Sequence, residues 1–452
     1  MSSANAPYVL RDLQHVWHPC TQMKDHEGPI PLIPIRSGAG AWLSDYDGRR
    51  YLDAVSSWWV NLFGHANPAI NAAVRAQLDS LEQVILAGFT HEPVIALSEE
   101  LTALAPPGLT RCFYADNGSS AIEVAVKMSF HYWRNLGRSA KRRFITLANS
   151  YHGETLGALA VGNVELYKEI YRPLLMEVIT VPSPEGFARE PGVSLEAHAR
   201  AQFAHMEAAL EAHAHESCAV IVEPLVQCAG GMRMYHPTYL KLLREACDRH
   251  GVHLIADEIA VGFGRTGTLF ACEQAGIRPD FLCLSKGLTA GYLPLSTVIT
   301  TEEVYAAFYD EYAKLNAFLH SHSFTGNALA CAAARACLAQ FRERDVLGAN
   351  RLLAARLGSR ARELEDHAHV AEVRQTGMIV AVEMVKERAT RAPYPWGERR
   401  GLIVYRHALE RGVLLRPIGD VVYFMPPYVV TADEIDLMVD VAAEGIERAT
   451  CD

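Results

Sequence analysis

The hydrophobic residues in the middle of the chain occur in short, uninterrupted runs, and each run is followed by polar or charged residues. Such runs are typical of strands buried on both faces, as in a parallel sheet covered by helices. Longer segments with helical spacing of apolar residues separate the runs, and this alternation predicts an α/β fold. The predicted strands are Arg111–Ala115, Phe144–Leu147, Cys218–Val222, Val252–Ala256, Phe281–Leu284 and Ser296–Ile299.

The two ends of the chain have a different pattern. Near the N-terminus, Ala41–Ala54 alternates around Asp47–Gly48, which is a strong signal for a hairpin turn. Near the C-terminus, Arg374–Met384 alternates as a single strand. Val413–Leu415 and Val421–Met425 are predicted as two further short strands that lie between helices.

These patterns predict two domains. A large domain over residues 65–329 carries a mostly parallel sheet with covering helices. A smaller α+β domain is built from both ends of the chain, residues 1–64 and residues 330–452.

Two charged residues stand at the ends of apolar strands. Asp257 directly follows Val252–Ala256, and Lys286 lies just after Phe281–Leu284. Ligands of open α/β sheets bind beyond the carboxyl ends of the strands. A lysine and an aspartate at that edge suit pyridoxal phosphate, because the amine bonds to the cofactor aldehyde and the carboxylate keeps the pyridine nitrogen protonated. For either residue alone, a surface lysine or a helix-capping aspartate is the simpler interpretation; the pair favours the cofactor.

A turn rich in glycine and serine, Asp116–Ser120, follows the first predicted strand and opens a helix. Free backbone N–H groups at a helix start suit a phosphate, although many helices begin with Gly–Ser and the signal alone is weak. Ser120 and Glu123 have the spacing of a capping box at this helix start.

Three other side chains are candidates for contacts with small molecules. Tyr151, near a glycine at a strand end, is suited to stacking on a planar ring, and a simple loop aromatic is the alternative. Trp58 and Trp59 are adjacent in a segment predicted to be extended, so at most one of them faces a given ligand. Arg416 follows a predicted strand and is suited to holding a carboxylate, but exposed turn arginines are equally common.

Composition excludes several other classes of protein. A net charge of −10 and a pI near 6.0 argue against binding of nucleic acid or of an anionic membrane. The ten cysteines contain no C-x-x-C pair and the nineteen histidines no metal-ligand spacing, which predicts reduced thiols and no metal site. Neither a signal peptide nor an apolar run of membrane-spanning length is present, so a cytoplasmic location is expected.

Several segments carry a resemblance to a known family. LIADEIAVGFGRTG and LCLSKGL resemble the class III, or ω-amino, pyridoxal-phosphate aminotransferases of fold type I, and the likeness runs from about His15 to Tyr428. HVWHPCTQM, SSWWVNLFGH, GGMRMYHP and LLRPIGDVVYFMPPY are similar to one branch of that class. Members of this branch transfer the amino group of S-adenosylmethionine to 8-amino-7-oxononanoate in biotin synthesis.

The resemblance implies a fold and an assembly. The large domain is expected to hold a mostly parallel sheet of the seven-stranded type, with a small α+β domain from both termini. Pyridoxal 5'-phosphate is the implied cofactor. The implied assembly is a homodimer in which each active site also takes a loop from the partner subunit.

The resemblance also implies a role for each matched residue. Lys286 matches the Schiff-base lysine, whose amine then moves a proton between substrate and cofactor, and Asp257 matches the partner of the pyridine nitrogen. The implied cofactor contacts are Gly118, Ser119, Tyr151, Asp257, Lys286, His322 and Ser323. The implied substrate contacts are Trp58, Tyr151, Arg265, Ser321 and Arg416. Arg416 is implied to hold the carboxylate of the oxononanoate, whereas a structural ion pair with Glu223 is the alternative for Arg265.

Three positions depart from the family pattern. Residues 320–323, in the loop that each subunit is implied to lend to its partner's site, read His–Ser–His–Ser where the family has His–Gly–Pro–Thr. Ser323 keeps a hydroxyl for the phosphate. The His322 side chain is either new chemistry at the site or a bulkier spacer, and we favour the spacer. Cys20 stands where the branch usually has a tyrosine that stacks on the adenine of S-adenosylmethionine, and Glu154 replaces a common aspartate with minor effect expected.

Three functions are therefore compared. The favoured one uses S-adenosylmethionine as donor and 8-amino-7-oxononanoate as acceptor. The second keeps the class but changes substrates: lysine as the donor, or another ω-amino acid or diamine. The third is a catalytically silent regulator that binds pyridoxal phosphate, and the intact Lys286 and Asp257 together with the absence of a basic surface signal count against it.

Overall fold

The structure, a computed structural model, describes residues 3–187 and 189–451. These residues form two compact units, which we describe separately. The sheet unit comprises Ala69–Asn350, and the terminal unit comprises the chain up to Pro68 and from Arg351 onward. The divisions at 68/69 and 350/351 lie C-terminal to the domain boundaries predicted at 64/65 and 329/330, so the helix Ala328–Glu343 lies in the sheet unit.

The helices, in chain order, are α1 (Ala6–His15), α2 (Ser56–Trp59), α3 (Pro68–Leu78), α4 (Glu92–Leu104), α5 (Gly118–Asn135), α6 (Leu156–Val161), α7 (Glu165–Lys168), α8 (Leu195–His213), α9 (Pro237–His250), α10 (Glu302–Ala306), α11 (Ala328–Glu343), α12 (Val346–Arg362), α13 (Arg400–Glu410) and α14 (Ala432–Thr450). The strands are β1 (Ile35–Ala39), β2 (Trp42–Asp45), β3 (Arg50–Asp53), β4 (Leu109–Ala115), β5 (Arg143–Leu147), β6 (Ile179–Val181), β7 (Ser217–Val222), β8 (Val226–Gln227), β9 (Arg233–Met234), β10 (His253–Asp257), β11 (Phe281–Leu284), β12 (Ser296–Thr301), β13 (Val370–Thr376), β14 (Ile379–Met384), β15 (Val413–Leu414) and β16 (Val421–Phe424). Short 3-10 turns cover Met23–Glu27, Arg172–Leu174, Ala271–Ala275, Lys286–Thr289, Tyr312–Lys314, Glu363–Asp366 and Trp396–Glu398.

The sheet unit is built on a seven-stranded sheet in the order β4-β12-β11-β10-β7-β5-β6. β10 pairs in parallel with β11 and β7, and β5 pairs in parallel with β7 and β6. β12 is antiparallel to both of its neighbours, β11 and β4. The mostly parallel α/β sheet predicted from the sequence is therefore confirmed.

The central strands are buried on both faces. Every residue of β7, β10 and β11 is buried, which explains why these segments are continuous apolar runs rather than alternating ones. Helix α5 packs on the sheet through residues such as Ile122 and Val126, which join Phe144, Ile255 and Phe281 in one core cluster. A charged side chain cannot be packed favourably within a strand that is buried on both faces. A charge at the carboxyl end of such a strand therefore indicates that the strand has reached a polar site.

The terminal unit contains two smaller sheets, β1-β2-β3-β15 and β13-β14-β16. The predicted hairpin is present as the antiparallel pair of β2 and β3, and Gly48 in its turn has φ +83°. The single strand predicted over Arg374–Met384 was wrong. Gly377, with φ +58°, lies in a turn between antiparallel β13 and β14, and alternation on both arms of the hairpin mimicked one long strand.

The tandem tryptophans do not lie in an extended segment, contrary to the sequence prediction. Ser56, Ser57, Trp58 and Trp59 have φ values of +52°, +46°, +71° and +73°, so α2 is a left-handed turn. Left-handed backbone costs a non-glycine residue roughly 1–2 kcal/mol. The turn persists because the Ser57 backbone N–H and hydroxyl donate to Asp53, and the Ser56 hydroxyl donates to the Met425 carbonyl.

The start of α5 also differs from the prediction. Asn117, not Ser120, caps the helix, because its side-chain oxygen accepts the Ser120 N–H at 3.1 Å. Glu123 does not close a capping box. Its carboxylate accepts the N–H of Gly157 at 2.7 Å and that of Ala158 at 3.3 Å, at the start of α6.

Candidate active site

The structure places Asp257 and Lys286 at the carboxyl edge of the seven-stranded sheet. Asp257 is the last residue of β10 and is paired with Cys283 of the neighbouring parallel strand β11. Lys286 opens the 3-10 turn that follows β11, with φ +44°. Strained backbone of this kind is concentrated at functional sites, where the surroundings hold it in place.

Two donors fix the Asp257 carboxylate, which is buried. Its Oδ1 accepts the Ile259 N–H at 3.1 Å, and its Oδ2 lies 2.7 Å from Nδ1 of His152. The His152 side chain is fully buried. Because an ionised carboxylate only accepts hydrogen bonds, Nδ1 carries the proton that His152 shares with Asp257.

The other ring nitrogen of His152, Nε2, is buried and has no hydrogen-bond partner among the described residues. A buried polar atom of this kind is rare in a folded protein and marks a functional environment. Sequence reasoning missed His152, since it was noticed only as a neighbour of Tyr151. The signal available was its place in the same strand-end loop as an aromatic and a glycine.

Glu223, immediately after β7, was also missed as a site residue. Its carboxyl accepts the N–H of Tyr151 at 2.9 Å and that of Cys228 at 3.0 Å. Burial, followed by the charge of Asp257, raises the pKa of Glu223 to about 8. Glu223 therefore holds the backbone of Tyr151 and Cys228 in place next to Asp257.

Burial also lowers the pKa of the Lys286 amine, while the charges of Asp257 and Glu223 act in the opposite direction. A lowered pKa leaves a larger fraction of the amine uncharged near neutral pH. An uncharged lysine amine is a nucleophile and a base, which is the form that carbonyl chemistry needs. The local electrostatics thus suit a reactive lysine.

The turn before α5 is closely packed against its neighbours. A Cβ on Gly118 would lie 2.9 Å from Cγ2 of Ile259, and a Cβ on Gly153, which has φ +121°, would overlap the Ser119 hydroxyl. That hydroxyl accepts the Glu154 N–H at 2.9 Å and still has its own proton to donate. The arrangement brings a helix N-terminus and a free hydroxyl proton to one surface, which suits a phosphate.

These residues fit pyridoxal phosphate. The lysine suits its aldehyde, the buried carboxylate its ring nitrogen, and the Gly118–Ser119 turn its phosphate. A Cβ at Gly118 or at Gly153 would collide with residues of the site itself. Glycine at both positions therefore preserves the shape of the candidate phosphate site. Tyr151 lies in the same strand-end loop, with its hydroxyl donating to Glu154 at 3.0 Å and its ring 5.6 Å from that of Tyr167.

Arg265, in the loop after β10, is almost completely buried, with 1% of its surface exposed. Its charge acts on the buried thiol of Cys228, the residue whose N–H is bound by Glu223. This places Arg265 in the sheet unit beside the candidate site. Its role toward a substrate stays a prediction.

The loop with Ser321, His322 and Ser323 also belongs to the sheet unit. The His322 side chain is not a loose spacer, because its Nδ1 lies 2.8 Å from Oδ2 of Asp116, directly before the Asn117 cap. The Ser323 carbonyl accepts a hydrogen bond from the Gln83 side chain at 2.9 Å. Ser321 is exposed.

Trp58 and Arg416 lie in the terminal unit. Trp58 is 45% exposed, whereas Trp59 is buried and its indole N–H donates to the Tyr423 hydroxyl at 3.0 Å. Only one of the two tryptophans therefore exposes its ring, as expected from the sequence. The reason differs from the one expected, because the segment is a left-handed turn and not an extended strand. Arg416 lies between β15 and β16 with its guanidinium 5.6 Å from the centre of the Tyr405 ring.

Comparison with known proteins identifies the family. The model of the family described as "Aminotransferase class-III" matches residues 23–446. The adenosylmethionine-8-amino-7-oxononanoate aminotransferase of Geobacter sulfurreducens is 45% identical over 440 residues, covering 97% of each chain. That of Helicobacter pylori is 46% identical over 430 residues, covering 94% of each. The chain belongs to the class III aminotransferases.

Solved structures agree with this assignment. The adenosylmethionine-8-amino-7-oxononanoate aminotransferase of Methanocaldococcus jannaschii superposes on this class III aminotransferase with a TM-score of 0.93 at 36% identity, covering 99% of this chain and 100% of the other. An omega transaminase of Pseudomonas jessenii, solved in complex with PMP, superposes with a TM-score of 0.92 at 29% identity, covering 98% of each chain. The aminotransferase fold and the pyridoxal-phosphate dependence inferred from the sequence are confirmed.

Within residues 3–187 and 189–451 of this aminotransferase, no group of three or more histidine, cysteine or acidic side chains is arranged to hold a metal ion. The helices of these ranges contain no apolar stretch of membrane-spanning length.

Proposed function

We propose that this chain is an adenosylmethionine–8-amino-7-oxononanoate aminotransferase of biotin synthesis. S-adenosylmethionine gives its amino group to the cofactor, and 8-amino-7-oxononanoate then receives it to become 7,8-diaminononanoate. Relatives with this printed name cover nearly the whole chain at 34–46% identity. The observation that carries the proposal is the pair of Asp257 and Lys286 at adjoining strand ends, with the amine pKa lowered by burial.

Bound pyridoxal phosphate supplies an aldehyde and an electron-accepting ring. Lys286 would hold the cofactor through its aldehyde, and its amine, when free, would be the base that moves the proton at the substrate carbon. Asp257 holds a proton on the ring nitrogen, and His152 fixes the orientation of its carboxylate. Glu223 keeps the Tyr151 backbone in place while Tyr151 stacks on the ring.

Other residues have binding roles in this proposal. The N–H groups of Gly118 and Ser119 and the Ser119 hydroxyl bind the phosphate, and the 320–325 loop, through His322 and Ser323, contributes to the phosphate end of the partner subunit's site. Ser321, Arg265, Tyr151 and the exposed face of Trp58 contact substrate. Arg416 binds the carboxylate of 8-amino-7-oxononanoate, a charged hydrogen bond of about 1.5–3 kcal/mol.

The amino donor is the least constrained part of the proposal. Cys20, exposed and with φ +51°, cannot stack on adenine. Loss of one aromatic stacking contact costs about 1 kcal/mol, or roughly fivefold in KM, which weakens S-adenosylmethionine without excluding it. Lysine is therefore the second candidate donor, because it has no adenine and does not need the stacking contact that Cys20 cannot make.

Single-turnover spectroscopy tests the donor. The holoenzyme is mixed with S-adenosylmethionine or with lysine at matched concentration, and the loss of the visible absorbance of the lysine-bound cofactor is followed. We expect rapid conversion by S-adenosylmethionine and recovery of absorbance when 8-amino-7-oxononanoate is added. Cys20→Tyr should speed the first donor several-fold and leave lysine unchanged. Reaction with lysine alone, with no gain from Cys20→Tyr, would replace S-adenosylmethionine by lysine in the proposal.

We also propose a homodimer located in the cytoplasm. Apolar side chains with high exposure cluster in one stretch of the sheet unit, with Leu315 at 70%, Leu319 at 86% and Phe324 at 61%. Exposed apolar residues in such number favour a protein interface. None of the ten cysteines, all of which the structure describes, forms a disulfide, as is usual in a reducing compartment. Light scattering after size-exclusion chromatography, which measures the mass in solution, tests the dimer.

A further inference from the structure

Glu258 directly follows Asp257 at the end of β10, and its side chain is completely buried. Its N–H donates to the Cys283 carbonyl of β11 at 3.0 Å, so the pairing of the two strands continues to this residue. Adjacent side chains of an extended chain point to opposite sides. Asp257 meets His152 on one side of the strand. The Glu258 carboxylate therefore serves a different part of the structure.

Both oxygens of the Glu258 carboxylate accept backbone hydrogen bonds from the far end of the loop that follows β10. Oε2 accepts the Ala271 N–H at 2.6 Å, and Oε1 accepts the Cys272 N–H at 2.8 Å. One side chain thus joins the two ends of residues 259–270, which we call the Arg265 loop. Hydrogen bonds to an ionised carboxylate are stronger than those between neutral groups, so this contact is suited to fixing the loop.

The backbone of the Arg265 loop needs such support. Phe263 and Gly264 are both left-handed, with φ values of +57° and +91°. The Gly264 N–H donates to the Leu269 carbonyl at 3.1 Å, and the Phe263 ring lies 5.7 Å from that of Phe270. A left-handed phenylalanine is strained and persists only where its surroundings hold it. The shape of the loop therefore depends on its contacts with the rest of the sheet unit.

The Arg265 side chain, buried in this loop, lies beside the candidate site. A single buried thiol, that of Cys228, shows this. Burial raises the pKa of this thiol, and the charges that act on it after burial are, in order, those of Glu223, Lys286, Asp257 and Arg265. The Arg265 guanidinium and the ionisable groups of the candidate site thus have one neighbour in common.

We propose that Glu258 is a positioning residue, which fixes the Arg265 loop and thereby places the Arg265 guanidinium where substrate binds. The inference rests on the proposed function, in which Arg265 contacts substrate, and it adds the residue that keeps Arg265 in place. Glu258 itself touches neither substrate nor cofactor. Its effect on the reaction passes through Arg265 and not through its neighbour Asp257.

Glutamine tests the contact, because an amide has one acceptor oxygen and one NH2 group, whereas a carboxylate has two acceptor oxygens. In Glu258→Gln, one backbone N–H keeps its acceptor and the other faces the NH2 group. Glu273→Gln is the matched control. Glu273 is exposed and accepts the Phe270 N–H at 2.8 Å in the same 3-10 turn, a bond that the amide oxygen of glutamine also makes.

The first readout is the single-turnover rate of each half-reaction as substrate concentration is varied. It is measured at pH 8, above the pKa of about 7 to which burial raises Glu258. Arg265→Met identifies the substrate that Arg265 contacts, by raising its half-saturating concentration about tenfold or more. Glu258→Gln should raise the same concentration about three- to tenfold and leave the limiting rate as in wild type. The double variant should match Arg265→Met, since no guanidinium is left to position.

The second readout is hydrogen exchange of the amides in residues 259–274, measured without substrate. Glu258→Gln should exchange faster than wild type in this segment, because one end of the loop has lost a hydrogen bond. Glu273→Gln should behave as wild type in both readouts. The absorbance of the lysine-bound cofactor should be the same in all of these proteins, since Lys286 and Asp257 are unchanged.

Wild-type exchange in Glu258→Gln would overturn the inference. So would effects of Glu258→Gln and Arg265→Met that multiply in the double variant, or a slower limiting rate with unchanged half-saturation in Glu258→Gln, which would indicate action through Asp257. Should Glu258→Gln fail to fold, Glu258→Asp, which shortens the side chain but keeps both acceptors, replaces it with the same expectations. Unchanged half-reactions in Arg265→Met would remove its substrate contact from the proposed function, and exchange would still decide whether Glu258 holds the loop.

Discussion

At the scale of single residues, the carboxyl edge of the sheet holds three ionisable groups whose charges depend on one another. Glu223 is fully desolvated and faces the charge of Asp257, which raises its pKa to about 8. The donors His152 and Ile259 hold the Asp257 carboxylate in place. A carboxylate held in this way near a lysine with a lowered pKa suits pyridoxal phosphate.

The first prediction concerns Lys286. Lys286→Ala should bind pyridoxal phosphate through the Gly118–Ser119 turn but lose the absorbance of the lysine-bound form. Turnover should fall by about 10³-fold or more, because both the covalent link and the base are removed. Lys314→Ala, at an exposed lysine, is the control and should behave as wild type. Near wild-type turnover in Lys286→Ala would assign the reactive lysine elsewhere.

A second prediction separates the charge of Asp257 from its orientation. Asp257→Asn keeps the size but removes the charge, and proton transfer should slow by about 10²–10³-fold. His152→Phe removes the Nδ1 donor and should slow it less, whereas His152→Asn, whose amide N–H lies near the position of Nδ1, should restore most of the rate. Single-turnover rates with S-adenosylmethionine measure all three variants. Equal losses in His152→Phe and His152→Asn would reduce His152 to a packing role.

At the scale of elements, the site depends on how closely two loops approach each other. Gly153 is the point of contact, since a Cβ there would overlap the Ser119 hydroxyl at the start of α5. Gly137 gives a matched comparison, because its φ of +72° is also left-handed but nothing lies within 4 Å of its Cβ position. Alanine strains the backbone at both positions, and more at the φ of +121° of Gly153. Cofactor affinity, rather than stability, is therefore the quantity that reports the contact with Ser119.

Gly153→Ala should therefore lose more stability and more cofactor affinity than Gly137→Ala. The backbone strain should cost about 1 kcal/mol in Gly137→Ala and more in Gly153→Ala. The displaced Ser119 should in addition lower cofactor affinity in Gly153→Ala, which Gly137→Ala does not show. Thermal unfolding and fluorescence titration with pyridoxal phosphate measure the two effects. If the affinities of the two variants were the same, the Ser119 turn would not be part of the phosphate site.

Sequence pattern predicts some of these elements and misses others for physical reasons. Apolar runs located β7, β10 and β11, because strands buried on both faces are apolar throughout. The hairpin turn at Gly48 was predicted from the alternation of Ala41–Ala54 around Asp47–Gly48. The left-handed turn Ser56–Trp59 and the Asn117 cap were missed. Both are set by side-chain bonds to the backbone or to distant residues, which no local periodicity records.

In the candidate site too, some residues could be predicted from the sequence and others could not. Lys286 and Asp257 were found because a charge at the end of a buried strand stands out from its surroundings. Glu223 and His152 did not stand out, since their importance comes from partners 72 and 105 residues away in the chain. The His322 side chain was interpreted as a spacer because its partner, Asp116, is 206 residues distant.

At the scale of the whole molecule, the core of the sheet unit contains polar groups that set its response to pH. His253 is the first residue of β10 and is buried, with Nδ1 2.9 Å from the Ser129 hydroxyl on α5 and its ring stacked on Trp133 at 4.7 Å. Burial is the main cause that lowers the pKa of His253 to about 4, although the charge of Asp280 opposes it. The sheet is thus built around a neutral imidazole.

This makes the free energy of unfolding sensitive to acid in a defined window. The unfolded chain binds a proton on His253 near pH 6.5, whereas the folded chain resists until about pH 4, so stability is lost as pH falls from 6.5 to 4 and levels off below. At about 1.4 kcal/mol per pKa unit, the full effect is roughly 3 kcal/mol. Ser129→Ala/His253→Phe removes the titrating ring together with the hydroxyl that bonds to it.

Urea unfolding at pH 7, 6, 5 and 4, with pyridoxal phosphate saturating at each pH, measures the effect. The wild-type protein should lose stability relative to the double variant as pH falls, and His205→Phe should follow the wild type because that histidine is exposed. The other acid-sensitive groups are common to all three proteins and cancel in the comparison. If the difference in the free energy of unfolding between wild type and the double variant were constant from pH 7 to 4, His253 would titrate alike in the folded and unfolded chains. The prediction of a neutral imidazole in the core would then be wrong.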